Sequence, residues 1–132
     1  MELNLKKLMA EIEADTKLDE LNLKEAQFKL PAIKHKYAGL LIRSKIELNE
    51  KLKKHSDTKK QLIKKIHDSS PVKLTPNAMS DAAEDAPSVK SINDEIKDLK
   101  LVIELLEKTE KILQSMTFDI KNIIELQKLE TT

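Results

Sequence analysis

The chain has 132 residues, enough for one ordinary domain, and combines 36% charged residues with 2% aromatics at a net charge of only +1. It has no cysteine, which excludes disulfides, thiolate metal sites and cysteine nucleophiles, and its single glycine (Gly39) and four prolines cannot supply the turns of a many-stranded fold or a phosphate-cradling loop. Its apolar residues are almost all Leu, Ile, Val, Ala and Met, which points to an all-α fold of long amphipathic helices.

Residues 3–14 carry a short amphipathic pattern through Leu3, Leu8 and Ile12. Asn22 and Glu25 resemble the cap of another short helical piece ending before Pro31. A first long helix is expected to open at Pro31, which suits a first turn, and to run to about His67. Its apolar stripe passes through Ile33, Tyr37, Leu41, Leu48, Leu52, Leu62 and Ile66, and is interrupted at His55 and Lys59. The stretch "SSPVKLTPNAMSDAAEDAPS" (69–88) holds three of the four prolines and few bulky apolar residues, so it reads as a mobile loop.

A second long helix is expected from "SIND", where Ser91 and Asp94 resemble a capping box. Its stripe is Ile92, Ile96, Leu99, Ile103, Leu106, Leu113, Met116, Ile120 and Ile123, widened by Leu101, Leu105, Ile112 and Ile124. The resulting architecture is two long helices in an αα-hairpin with short N-terminal helices. Its segments are an N-terminal helical region with the basic helix (1–68), a flexible Pro-containing linker (69–90) and a C-terminal oligomerisation helix (91–132). One partner helix cannot cover so wide an apolar face, which predicts homo-oligomerisation through Leu106, Leu113, Met116, Phe118, Ile120, Ile123 and Ile124; the plainer reading of Phe118 and Ile120 is core packing. No apolar run is long enough to span a membrane, and the start "MELNLKKLMAEIEAD" lacks a signal-peptide core, so a soluble cytoplasmic protein is expected.

Charge is concentrated in one segment. Residues 29–67 carry twelve Lys+Arg against three acids, while 1–28, 68–95 and 96–132 are each mildly acidic. Within "KLKKHSDTKKQLIKK" (51–65), Lys60 and Lys64 fall within about 20° of Lys53 around a helix, Lys54 and Lys65 lie about 100–120° from it, and Arg43 about 80°. Only Asp57 intervenes, so i,i+4 pairing within the helix cannot neutralise this stripe. Two readings stay open from composition, a solvated face and a polyanion-binding face. With no aromatics among the lysines and one arginine, a polyanion would be held through phosphates, without base reading and with steep salt dependence. A membrane-surface helix is disfavoured by the lack of Trp or Phe on the apolar face.

No catalytic constellation emerges. His35, His55 and His67 are spaced so that no two lie one helical turn apart, and the carboxylates are scattered among lysines; no enzyme, metal or cofactor is expected.

Two stretches, "LNLKEAQFKLPAIKHKYAGLL" (21–41) and "IELLEKTEKILQSMTFDIKNIIELQKLE" (103–130) with its "FDIKNIIE" core, resemble the UvsY family of phage recombination mediators. Thr117 and Leu126 stand where relatives often carry a glycine and an aromatic. The resemblance implies a non-enzymatic protein that binds single-stranded DNA as a ring-like homo-oligomer, a hexamer or heptamer, and meets a single-strand-binding protein and a RecA-like recombinase. It further implies that Lys53, Lys54, Lys60, Lys64 and Lys65, with Arg43 outlying, contact DNA, and that the setting is the phage-infected bacterial cytoplasm. The alternative is a coiled-coil assembly factor or chaperone-like scaffold with protein partners only.

Overall fold

The computed structural model describes residues 5–131, and all regular structure among them is helical: α1 (Leu5–Thr16), α2 (Leu23–Ser69), α3 (Pro76–Glu84) and α4 (Pro87–Glu130). The all-α expectation is met, and Leu3 of the first pattern lies outside the described residues. The chain divides into two compact units. One holds the residues up to Arg43 with those from Val102 onward; the other is Ser44–Leu101. The first unit brings the start of α2 together with the end of α4, and the second brings the end of α2 together with the start of α4.

The first unit contains most of the core. Leu8 and Ile12 of α1, Leu23, Leu30, Tyr37 and Leu41 of α2, and Val102, Ile103, Leu106, Leu113, Met116 and Ile120 of α4 are all buried. Each contributes roughly 1.5–3 kcal/mol by leaving water. α1 has only 12 residues, too few for an isolated helix of this composition to persist, so its apolar face and one polar tether must hold it. The tether is Asp15, whose Oδ2 accepts hydrogen bonds from the Tyr37 hydroxyl at 2.6 Å and the Lys36 ammonium at 2.7 Å; Lys36 also bridges to Glu11.

Three local expectations are corrected here. Pro31 does not open a helix; it lies inside α2, which starts at Leu23. An interior proline removes one backbone hydrogen bond at a cost of about 3 kcal/mol, and burial of Leu23, Leu30 and Tyr37 on both sides of it offsets that loss. Asn22 does cap α2, its carbonyl accepting the Ala26 N–H at 2.8 Å, but no reciprocal box forms: its side-chain oxygen turns back to the Asp19 N–H, and Glu25 pairs with Lys29. Ser91 and Asp94 lie within α4, which begins at Pro87. α4 continues unbroken through Thr117.

The second unit is organised differently. Its buried apolar residues, Ala83, Val89, Ile92, Ile96 and Leu99, come from α3 and α4. From Lys45 to Ser69, α2 has no fully buried residue; Leu48, Leu62, Ile63 and Ile66 are half-buried, and Leu52 is exposed. The stretch expected to be a loop contains α3, started by Thr75, whose hydroxyl accepts the Ala78 N–H at 3.1 Å, with proline in the first turn.

Candidate nucleic-acid interface

The second half of α2 has two polar faces with different fates. The inward one carries the two interruptions of the apolar stripe. Lys59 Nζ lies 3.0 Å from Glu84 Oε1 on α3, His55 Nε2 lies 3.3 Å from the same oxygen, and Asn93 Nδ2 on α4 donates to Glu84 Oε2 at 3.2 Å. Lys51 bridges to Glu95 on α4 at 2.6 Å. The hydrogen bond from Lys59, then that from Asn93, holds the Glu84 carboxyl below its ordinary range, and Lys51 does the same for Glu95. The hydrogen bond to Glu95 in turn raises Lys51.

The outward face carries Lys53, Lys54, Lys60, Lys64 and Lys65, all exposed and none within ion-pair distance of a carboxylate. These are five of the six cations expected to touch a polyanion; the sixth, Arg43, is also exposed and unpaired but belongs to the first unit. Lys51 and Lys59, which share the same lysine-rich run, are the ones tied up internally. The division follows from helical geometry, since Lys51, His55 and Lys59 fall on the side of Leu48, Leu62 and Ile66, while the other five lie across from it. At the end of α2 the outward face has a shallow depression of about 370 Å³ lined by Gln61, Lys64, Lys65, Asp68 and Ser69. Its lining mixes two ammonium groups with an amide, a hydroxyl and the Asp68 carboxylate, and it has no aromatic shelf. Among the described residues, no group of His, Asp or Glu could hold a metal ion, and no helix is long and apolar enough to cross a membrane.

The residues expected to join copies of the chain separate into two sets. Leu106, Leu113, Met116 and Ile120 are buried within a single chain, so this expectation is corrected for them: their surface is already covered by α1 and α2. Ile123 and Ile124 are half-buried and Phe118 is exposed. The apolar residues left at the surface of α4 in this unit are Ile112, Phe118, Leu126 and Leu129. Sequence reading counted Ile112 among the residues that widen the apolar face and did not single out Leu126, although their spacing from Leu105 and Ile123 puts all four along one edge of the buried stripe.

Among the described residues the chain is all-helical, with a lysine-rich face on the second half of α2 that makes no ion pair. Comparison with known proteins places this helical chain in a family. A family model described as recombination, repair and ssDNA binding protein UvsY matches residues 11–132, and the chain belongs to the UvsY family. The fold is similar to that of the bacteriophage T4 recombination mediator protein UvsY in two crystal lattices. The first has a TM-score of 0.83 at 15% identity, covering 97% of this chain and 99% of that one; the second has 0.82 at 14%, covering 98% and 99%. No curated protein matches the chain.

Proposed function

We propose that this protein is a recombination mediator that binds single-stranded DNA as a homo-oligomer and helps load a RecA-like recombinase onto strands covered by single-strand-binding protein. The observation that carries this reading is that Lys53, Lys54, Lys60, Lys64 and Lys65 are exposed and form no ion pair, while Lys51 and Lys59 in the same run are neutralised by Glu95 and Glu84. Family membership supports the same role. The contacts are with phosphates, so strands of any sequence are held alike. Copies assemble through α4, with Ile112, Phe118, Ile123, Ile124 and Leu126 contributing to the contact, and several lysine faces in one assembly bind one strand with avidity.

Anisotropy of a labelled oligonucleotide, titrated across a salt series with unlabelled duplex as competitor, tests the reading. Five phosphate contacts give a slope of about −3.5 in log K against log salt, or roughly a hundredfold loss of affinity between about 50 and 200 mM salt. The triple change Lys60→Glu, Lys64→Glu and Lys65→Glu should abolish binding at moderate salt. Unchanged affinity in that variant would return the lysines to the role of a solvated face. Loading is tested by adding the protein to a recombinase stalled on strands precoated with single-strand-binding protein and measuring filament formation.

A further inference from the structure

The polar layer inside the second unit has the composition of an anion site with its own occupant. Three groups from two helices converge on the Glu84 carboxylate: the Lys59 ammonium at 3.0 Å, the Asn93 amide at 3.2 Å and the His55 imidazole at 3.3 Å. Ammonium and amide donate, and the imidazole nitrogen donates when it carries its proton, so the three together suit any compact oxyanion. The fit to Glu84 is incomplete, because His55 Nε2 is buried yet makes no aligned hydrogen bond. Glu84 stands on the last turn of a nine-residue helix that follows an almost wholly exposed connection (70–75) and is otherwise anchored by one buried residue, Ala83. A helix so short has little stability of its own. The occupant is thus held by a weakly anchored element, and the site lies on the same stretch of α2 as the outward lysines.

We propose that His55, Lys59 and Asn93 form a second phosphate-binding site, masked in the free protein by Glu84, and that a DNA phosphodiester displaces the Glu84 side chain and loosens α3. This rests on the single-stranded DNA reading above and adds a regulated contact to it. The masked site keeps His55 and Lys59 engaged with Glu84 until a phosphodiester competes for them.

The test uses the full chain and a fluorescein-labelled oligothymidylate, comparing wild type, Glu84→Gln, Asp81→Asn and the double variant Glu84→Gln with Lys59→Met. Asp81 is an exposed acid on α3 without an ion pair, so Asp81→Asn controls for net charge. Unmasking one cation should tighten binding by about three- to fivefold and steepen the salt slope by about 0.7 in Glu84→Gln. Asp81→Asn should leave both close to wild type, and the double variant should lose the gain. Equal shifts in Glu84→Gln and Asp81→Asn would overturn the mask while leaving the lysine face intact. No binding by the wild type at low salt would instead sink the DNA reading and the mask with it. Amide hydrogen exchange of the wild type provides a check independent of any variant's folding. Residues 76–84 should exchange faster with saturating oligonucleotide, and unchanged or slower exchange there would refute displacement.

Discussion

Tyr37→Phe probes the tether that holds α1 to α2. The side chain is fully buried in the first unit, and its hydroxyl donates to Asp15 at 2.6 Å. The substitution keeps the ring and removes only the hydrogen bond. A bond to a charged acceptor is worth about 1.5–3 kcal/mol, and since Asp15 keeps its Lys36 partner and some access to solvent, the lower half of that range, about 1.5–2 kcal/mol, applies. At about 2.1 cal/mol/K per residue of unfolding entropy, this amounts to a fall of roughly 5–7 °C in Tm. Urea unfolding followed by circular dichroism at fixed protein concentration, so that assembly does not move the midpoint, should show a lower midpoint with an unchanged m-value. The two ends of the pH range should also respond. Burial alone would raise Asp15, but the hydrogen bonds from Lys36 and Tyr37 outweigh it and leave it below its ordinary value. Its stabilisation is therefore present above about pH 4 and lost as pH falls through the lowered value. Burial, followed by the bond to Asp15, raises Tyr37, so its contribution is present below about pH 10 and lost as pH climbs past that. Tyr37→Phe should remove the alkaline loss and lessen the acid one. A midpoint within about 0.5 kcal/mol of wild type with both limbs intact would show that the tether does not hold α1.

The two sides of α4 should respond separately. Leu113→Ala, at a buried position, should cost about 2–5 kcal/mol of stability, read from the urea midpoint. Ile112→Ser, at an exposed one, should leave a dilute chain's stability within about 0.5 kcal/mol and lower the assembled mass seen by sedimentation. Thr75→Ala removes the cap of α3 and should cost about 1 kcal/mol locally, so exchange at residues 76–84 quickens while the melting of α1, α2 and α4 stays in place.

Long-period features were legible in the sequence, and features that depend on distant partners were not. The stripe from Ile92 to Ile120 is buried at each apolar position named for it, because apolar residues at helical spacing leave one way to face a core. On α2 the same reasoning holds at Tyr37 and Leu41 and weakens from Leu48 onward, where the inward side is half-buried and polar. The interruption at His55 and Lys59 was visible, yet its completion by Glu84 and Asn93 was not, since these partners lie 25–38 residues further along the chain. The α3 start signal, Thr75 followed by Pro76, was present but outweighed by the proline density around it and by an apolar face made only of alanines and one methionine. Pro31 followed the rule for a helix start and sits inside a helix because tertiary burial exceeded a local preference. The lysines of the stripe are exposed, but which lysines of the run would be neutralised from outside the helix needed α3 and α4 in position.

The sequence separation of contacting residues also sets an order of assembly for the chain. The ion pairs from α2 lysines to later elements in the second unit join residues 25 apart (Lys59 and Glu84) and 44 apart (Lys51 and Glu95), whereas in the first unit Lys34 of α2 meets Thr117 of α4 across 83 residues. Closing the longer loop costs about 1 kcal/mol more entropy than closing the shortest one. The hairpin therefore zips from the turn that contains α3 toward the chain ends: the end with the weaker apolar core nucleates, and the end with the stronger one locks. Pulse-labelled hydrogen exchange during refolding should find protection at 87–101 ahead of 102–130, and the reverse order would mean that hydrophobic strength, not loop length, sets the path.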